Sequence, residues 1–320
     1  MSPKRSHTRL TSISWIVGFL LLSFASHNLR ASELYFIDAH SQVGHKLKNL
    51  EQVIDRMDKG GVYRTILSAR SNRTSAEIVS LAKVYPGRIL PALRVKSKTY
   101  GHNHPKYYKQ LRKQVQSGHF KAMAEVLMYH AKKGAKAPEV VVYPEDQRVQ
   151  TTLRAAIENG WPFILHIEFQ ALKGEKRQRF MTGMQNLLKA NSAHPFALNH
   201  MGQLTPAEVR SLIENHGNLY FLTAHTNPVI TRHSNQPWVN MFQGAVIAKE
   251  WKDLLIQHVD RFIFAMDNVW EDHWEEIYVQ QMEYWRKAMA DLPGPVAHAI
   301  AHGNAEHLWG IQPKSAGIKP

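Results

Sequence analysis

The sequence predicts an α/β protein folded as a (β/α)8 TIM barrel. Three observations predict it: eight short runs of branched and aromatic apolar residues, segments with helical apolar spacing between them, and polar, metal-capable residues gathered where the runs end. The length of 320 residues accommodates such a barrel, which commonly occupies about 250 residues as one unit.

The runs are Leu34–Asp38, Val62–Ala69, Ile89–Val95, Phe120–Met128, Pro162–Glu168, Pro195–His200, Leu219–Ala224 and Arg261–Asp267. Between the first two, Leu47, Leu50, Val53, Ile54 and Met57 recur every three or four positions, which gives a helix one buried stripe. Two helix starts carry a capping box, Thr74 with Glu77 and Thr205 with Glu208, the second with Pro206 at the first helical position. Gly60-Gly61, Pro86-Gly87 and Asn159-Gly160 mark stops before the next strand. Ala245 to Val259 repeats the helical pattern through Ile247, Trp251, Leu254 and Leu255. A doubly wound open sheet would place a glycine-rich phosphate loop after its first strand, and none is found there.

Forty basic against twenty-six acidic residues give a formal charge of +14. The first thirty-one residues hold Lys4, Arg5, Arg9 and Arg30 and no acid, so +10 remains beyond them. The basic residues do not form the dense or aromatic-interleaved runs of nucleic-acid binders, so no nucleic-acid partner is expected. The N-terminus is basic, then apolar from Ile13 to Ala25, then small and polar, the order of a secretory signal peptide. The apolar run is short for a membrane span, which needs about twenty residues. The expected organisation is a signal peptide or N-terminal anchor over residues 1–31 and one barrel domain over 32–320, exported to the periplasm or secreted, without stable membrane insertion after cleavage. Cysteine is absent, so neither a disulfide framework nor a thiolate metal ligand is available, and a metal would rely on His, Asp, Glu and amide oxygens.

Barrel active sites lie at the C-terminal ends of the strands. There the sequence places Asp38, His40 and Gln42 after the first run, Arg70 after the second, Arg94 in the third, Glu125 in the fourth, His166 and Glu168 in the fifth, His200 in the sixth, His225 after the seventh and Asp267 in the eighth. His40 and Gln42 are two apart, so a pleated strand points both to one face, where they can grip one ion. A neutral amide oxygen is a poorer zinc donor than imidazole, so Gln42 weakens such a site or favours a harder ion. Arg70 and Arg94 suggest an anionic substrate. Bland roles stand beside these: Asp267 as a helix N-cap, Glu125 paired with an arginine, the arginines as structural ion-pair partners, His225 as a hydrogen-bonded structural histidine. GHNHP, residues 101–105, offers another His-x-His in a basic loop and reads as a solvated or substrate-facing segment. The connection from His225 to Gly244, with Trp238, suits a pocket wall, and Trp270, Trp274 and Trp285 suit core packing of a terminal helix.

DAHSQ, ILHIE, ALNHMG, RFIFAMD and the closing HGNAEHLWG together resemble the amidohydrolase superfamily, in its amidohydrolase-related branch. The resemblance implies a distorted barrel with a mononuclear or binuclear centre, usually zinc, that activates water against amide or ester bonds; some members decarboxylate and some work without metal. His40, His166 and Asp267 match the family's ligands, Gln42 stands where a second histidine is expected, and His200 matches a residue that ligates a second ion or polarises the substrate carbonyl. Asp267 and His200 are then the catalytic candidates, and Arg70, Arg94, Glu125 and His225 face a small anionic substrate. The expected activity is hydrolysis of an ester, lactone or amide at a variant mononuclear divalent-metal site, with a metal-free lactonase-like enzyme or a non-catalytic ligand-binding barrel as alternatives, and a homo-oligomer is compatible with the sequence.

Overall fold

The computed structural model describes residues 34–133, 138–234 and 236–315. The expected signal segment lies outside them. Among the described residues no helix is long and apolar enough to cross a membrane.

Eight strands alternate with eight helices: β1 Phe36–Val43, α1 Glu51–Gly60, β2 Val62–Ala69, α2 Ser75–Val84, β3 Ile89–Leu93, α3 Lys106–Gln116, β4 in two pieces (Ala122–Met123 and Val126–His130), α4 Gln147–Asn159, β5 Phe163–Ile167, α5 Gly174–Ala190, β6 Phe196–Leu198, α6 Pro206–Asn215, β7 Leu219–Leu222, α7 Lys249–Gln257, β8 Phe262–Ile263 and α8 Glu276–Ala290. Sequential strands pair in parallel from β1 to the first piece of β4, and from its second piece to β8. The cylinder closes between β8 and β1: Ala39 N–H donates to the Phe264 carbonyl at 3.1 Å, Asp267 N–H to that of His40 at 2.7 Å and Gln42 N–H to that of Asn268 at 2.8 Å.

Local chemistry sets the element ends. Both capping boxes form, at Thr74–Glu77 and Thr205–Glu208. Gly61 and Gly160 end α1 and α4 in left-handed geometry, each at φ 65°, which glycine adopts without a Cβ clash. The helix expected from Ala245 begins only at Lys249, because Phe242–Gln243 and Val246–Ile247 form a small hairpin turned by Gly244 at φ 65°.

Side chains alternate across the barrel wall as the pleat requires. Phe36, Phe163, Leu165, Phe196, Leu198, Phe221, Phe262 and Phe264 face the helices, while Ile37, Ala39, Ala92, Ala122, Ala124, Ile164, Ala197, Leu222 and Ala265 pack inside. Tyr35, Tyr63, Ala305 and Ile311 join the inner cluster. Many inner residues are alanine, so the polar layer at the strand ends sits directly on a narrow apolar plug.

Candidate metal centre and active site

β1 delivers His40 and Gln42 through a local irregularity. Its pairing with β2 shifts between Asp38 and Ser41, as a bulge does when it re-aims side chains. The buried Asp38 carboxylate pins the distortion, accepting from Met266 N–H at 2.9 Å, His40 N–H at 3.2 Å and Ser41 Oγ–H at 2.5 Å. Burial, only partly offset by these bonds, lifts its pKa to about 7. After β6, β7 and β8 the backbone turns left-handed at His200 (φ 54°), His225 (φ 59°) and Asp267 (φ 47°). Non-glycine residues hold this geometry at about 1–2 kcal/mol each, so the surrounding packing enforces it. Gly202, at φ 63°, continues the turn after β6; a Cβ there would lie 2.5 Å from Leu198 Cδ2.

These turns, with β1, the break in β4 and β5, bring five buried ligand side chains together. His40 Nε2 lies 3.4 Å from Asp267 Oδ1 and 3.9 Å from Glu125 Oε2, His200 Nε2 lies 3.4 Å from Asp267 Oδ2, and His166 Nδ1 lies 2.6 Å from Glu125 Oε2. Glu125–His166–His200, His200–His225–Asp267 and His40–Glu125–Asp267 each offer three ligand atoms close enough to share an ion.

Proton bookkeeping makes the fit to a cation specific. His200 Nδ1 contacts the Ala224 carbonyl at 3.3 Å, which can only accept, so that nitrogen carries the hydrogen. Nε2 therefore carries a lone pair, which accepts from Asn199 Nδ2 at 3.2 Å and lies 3.4 Å from the Asp267 carboxylate, acceptor beside acceptor. Both ring nitrogens of His40 and Nδ1 of His225 are buried without a hydrogen-bond partner. Such a set of inward-facing acceptors is relieved by a divalent ion, and imidazole with carboxylate suits zinc. Gln42 presents its nitrogen here: Nε2 donates to Glu125 Oε1 at 3.1 Å and to Asp267 Oδ1 at 2.9 Å. Coordination through its oxygen, as the sequence suggested, requires the amide to turn over.

Charge in the cluster is unevenly held. Burial raises the Glu125 pKa, but Lys96 (Nζ at 3.0 Å) and His166 overcome it and hold the carboxyl well below the usual range. Burial and Glu125 push Asp267 up while His40, His225 and His200 pull it down, to about 2. Burial opposes protonation of His166, yet Glu125 and then Glu168, 3.3 Å from Nε2, raise its pKa. Burial drives His200 well below its ordinary value, with His225 and His166 adding to it, and burial likewise lowers His225. Its acidic partners thus favour the protonated form of His166, which ligates only when neutral.

Above the cluster lies a cavity of about 440 Å³, lined by Arg70, Lys96, Lys133, His166, His200, His225, Trp238, Asp267 and Trp270 among others. Arg70 stacks on Trp270 at 4.1 Å and donates to the Val269 carbonyl at 3.0 Å. Lys133 pairs with Glu168 at 2.5 Å and sits 4.6 Å from the Trp238 ring centre. Trp238 covers His200 and His225, with ring centres 4.7 and 4.8 Å away. The wall is thus cationic and aromatic, suited to a small anion.

Of the sequence candidates, the structure brings His40, Gln42, Glu125, His166, His200, His225, Asp267 and Arg70 to this one place. Arg94 does not line the cavity: its guanidinium donates to the carbonyls of Lys96 (2.8 Å) and Ser71 (2.7 Å). Glu125 is fully buried and belongs with the donor set rather than with a substrate-facing wall. His225 Nε2 donates to the Asp267 carbonyl at 2.9 Å and steadies that turn. His102 and His104 are exposed outside the cavity. Trp274 and Trp285 are core residues, while Trp270 is 57% exposed at the rim. Sequence reasoning missed Lys96, Lys133 and Asn199, whose Nδ2 donates to Glu125 Oε2 at 2.8 Å; Asn199 lay inside the ALNHMG motif, immediately before His200.

No protein-family model matches the chain, and no curated protein does. Solved structures do. One described as a 2-pyrone-4,6-dicarboxylic acid hydrolase from Pseudomonas putida superposes with a TM-score of 0.57 at 12% identity, over 88% of this chain and 100% of that one. 4-Oxalomesaconate hydratase from Rhodopseudomonas palustris gives 0.55 at 13%, over 86% and 95%. An amidohydrolase from Burkholderia multivorans, with bound zinc, gives 0.51 at 12%, over 87% and 100%. The chain therefore has the (β/α)8 barrel fold found in amidohydrolase-superfamily proteins.

Proposed function

We propose that the protein is a metal-assisted hydrolase of the amidohydrolase type that cleaves a small anionic ester, lactone or amide. The observation that carries this is the buried set His40, Glu125, His166, His200 and Asp267, whose ligand atoms fall into overlapping groups of three beneath a cavity walled by Arg70, Lys96 and Lys133. These five residues would hold a divalent ion, which when bound would polarise the scissile carbonyl and acidify the attacking water. The zinc-bearing Burkholderia neighbour and the two neighbours named for carboxylic-acid substrates support that choice of ion and of substrate charge.

The remaining work falls to side chains of this chain. Lys133 and Arg70, at the cavity wall, bind the substrate carboxylate and fix which carbonyl faces the cluster. Asp267, as carboxylate, accepts the proton of the attacking water and returns it to the leaving oxygen or nitrogen. His200, neutral and fixed by Ala224, presents Nε2 at the reacting end of the cavity. Trp238 covers His200 and His225 and keeps bulk water from them. We further propose that residues 1–31 direct export; an intact mass for periplasmic protein lacking that segment is the expected outcome, and an uncleaved cytosolic chain would refute it.

Gln42 favours a second reading, in which the amide nitrogen bridges Glu125 and Asp267 in place of an ion and Asp267 works as a general base alone. One experiment separates the two. Protein purified without chelator is assayed for metal and for turnover of a panel of carboxylated esters and lactones, then dialysed against chelator. Stoichiometric metal, with activity lost on removal and regained on adding zinc, supports the first reading; activity indifferent to chelation supports the second; inactivity throughout the panel with and without zinc removes both.

A further inference from the structure

The excess positive charge is not evenly spread. From Ile78 to Ala124 the chain has ten lysines and arginines and no aspartate or glutamate, and this segment forms one side of a second cavity. That cavity, about 570 Å³, lies between the start of α2, the end of β3 and α3, and shares no lining residue with the catalytic one. Arg94, Lys98, Lys113 and the Gln110 amide line it. Arg73, also on its wall, is neutralised by Glu77 at 2.6 Å, but among the described residues Arg94, Lys98 and Lys113 have no ion-pair partner. Arg94 is half-buried, and its bonds to the neutral carbonyls of Lys96, Ser71 and Arg73 fix its fork without cancelling its charge. Burial and the neighbouring Arg70 charge both lower its pKa, so its surroundings are short of negative charge.

We propose that this second cavity is an anion site for phosphate-type groups carrying two or more negative charges, either a free diphosphate-like molecule or a phosphorylated lipid headgroup. A fixed guanidinium, two mobile ammonium groups and an amide are the donors that tetrahedral oxyanions use, and three unpaired cations in one groove match a multiply charged ligand better than a single carboxylate. The site is independent of the catalytic cavity and of the hydrolase assignment.

The test is calorimetric titration with inorganic pyrophosphate at low ionic strength, alongside co-sedimentation with vesicles containing phosphatidic acid, whose phosphomonoester can carry two charges, and with phosphatidylcholine vesicles as a neutral control. The proteins are the full chain, a Lys98→Glu, Lys113→Glu double variant, and Lys133→Gln, which alters only the catalytic wall. Lys98 and Lys113 are exposed, so an unchanged melting temperature is expected for the double variant. One equivalent of pyrophosphate bound by the parent and by Lys133→Gln, and at least tenfold weaker binding by the double variant, supports a free phosphate ligand. Binding to the phosphatidic acid vesicles alone, lost in the double variant, supports the headgroup source. The proposal is overturned if the double variant binds like the parent, if Lys133→Gln instead removes binding, or if neither probe binds.

Discussion

Replacing Asp267 by asparagine should lower both activity and the stability of the metal-free protein. Gln42 Nε2 reaches Glu125 Oε1 at 3.1 Å and Asp267 Oδ1 at 2.9 Å, so those two oxygens lie within about 6 Å of each other by the sum of the two distances. Two negative charges at that separation repel by about 3 kcal/mol at an effective dielectric of ~20. The neighbouring histidines outweigh that repulsion, with His40 and His200 each 3.4 Å from an Asp267 oxygen, and the Asp267 pKa is held down to about 2. Asparagine keeps the shape and leaves an acceptor for Gln42, but removes the charge that these histidines stabilise. In chelator, Asp267→Asn is therefore expected to be less stable than the parent by about 2 kcal/mol at neutral pH. Its kcat/KM should fall by about a thousandfold, within the range for losing a general base. Urea unfolding followed by tryptophan fluorescence measures the first and steady-state kinetics the second. A higher midpoint with an unchanged slope would refute that charge balance.

Lys133→Gln is expected to raise KM for a carboxylated substrate about tenfold with kcat nearly unchanged, as for uniform binding; a fall in kcat with KM constant would place Lys133 in the chemistry instead. Gly202→Ala is expected to cost about 2–4 kcal/mol in a denaturation midpoint, because alanine is strained at φ 63° and meets Leu198; an unchanged midpoint would remove that turn from the account. In metal-free protein the raised pKa of His166 gives a stabilising contribution that is full below its unfolded value near 6.5 and lost as pH rises through the folded value. Loading with zinc requires neutral His166, so zinc affinity should rise over that same interval with proton release. Calorimetry in buffers of different ionisation enthalpy checks the release, and a pH-independent affinity would contradict it.

The architecture was legible because it rests on local signals. Strand runs, the stripe through Val53, Ile54 and Met57, and both capping boxes follow from side-chain period and backbone hydrogen-bond needs. The site was legible only as far as strand parity persists. Ala92 faces inward, and alternation carries that inward placement to Arg94, but pairing ends at Leu93, the chain turns, and Lys96 enters the cavity in its place. Glu125 is out of step with Ala122 and Ala124 because β4 breaks between Met123 and Val126. The left-handed turns at His200, His225 and Asp267 have no local signature beyond Gly202, since the surrounding packing imposes them. The nitrogen-first placement of Gln42 depends on carboxylates more than eighty residues away.

Anomalous diffraction at the zinc edge, on crystals of chelator-treated protein grown with one equivalent of zinc, tests the central claim most directly. The account predicts one dominant peak within bonding distance of His40 and Asp267, with Gln42 turned to present its oxygen. No peak between those residues, with the Gln42 nitrogen still bridging Glu125 and Asp267, would contradict it.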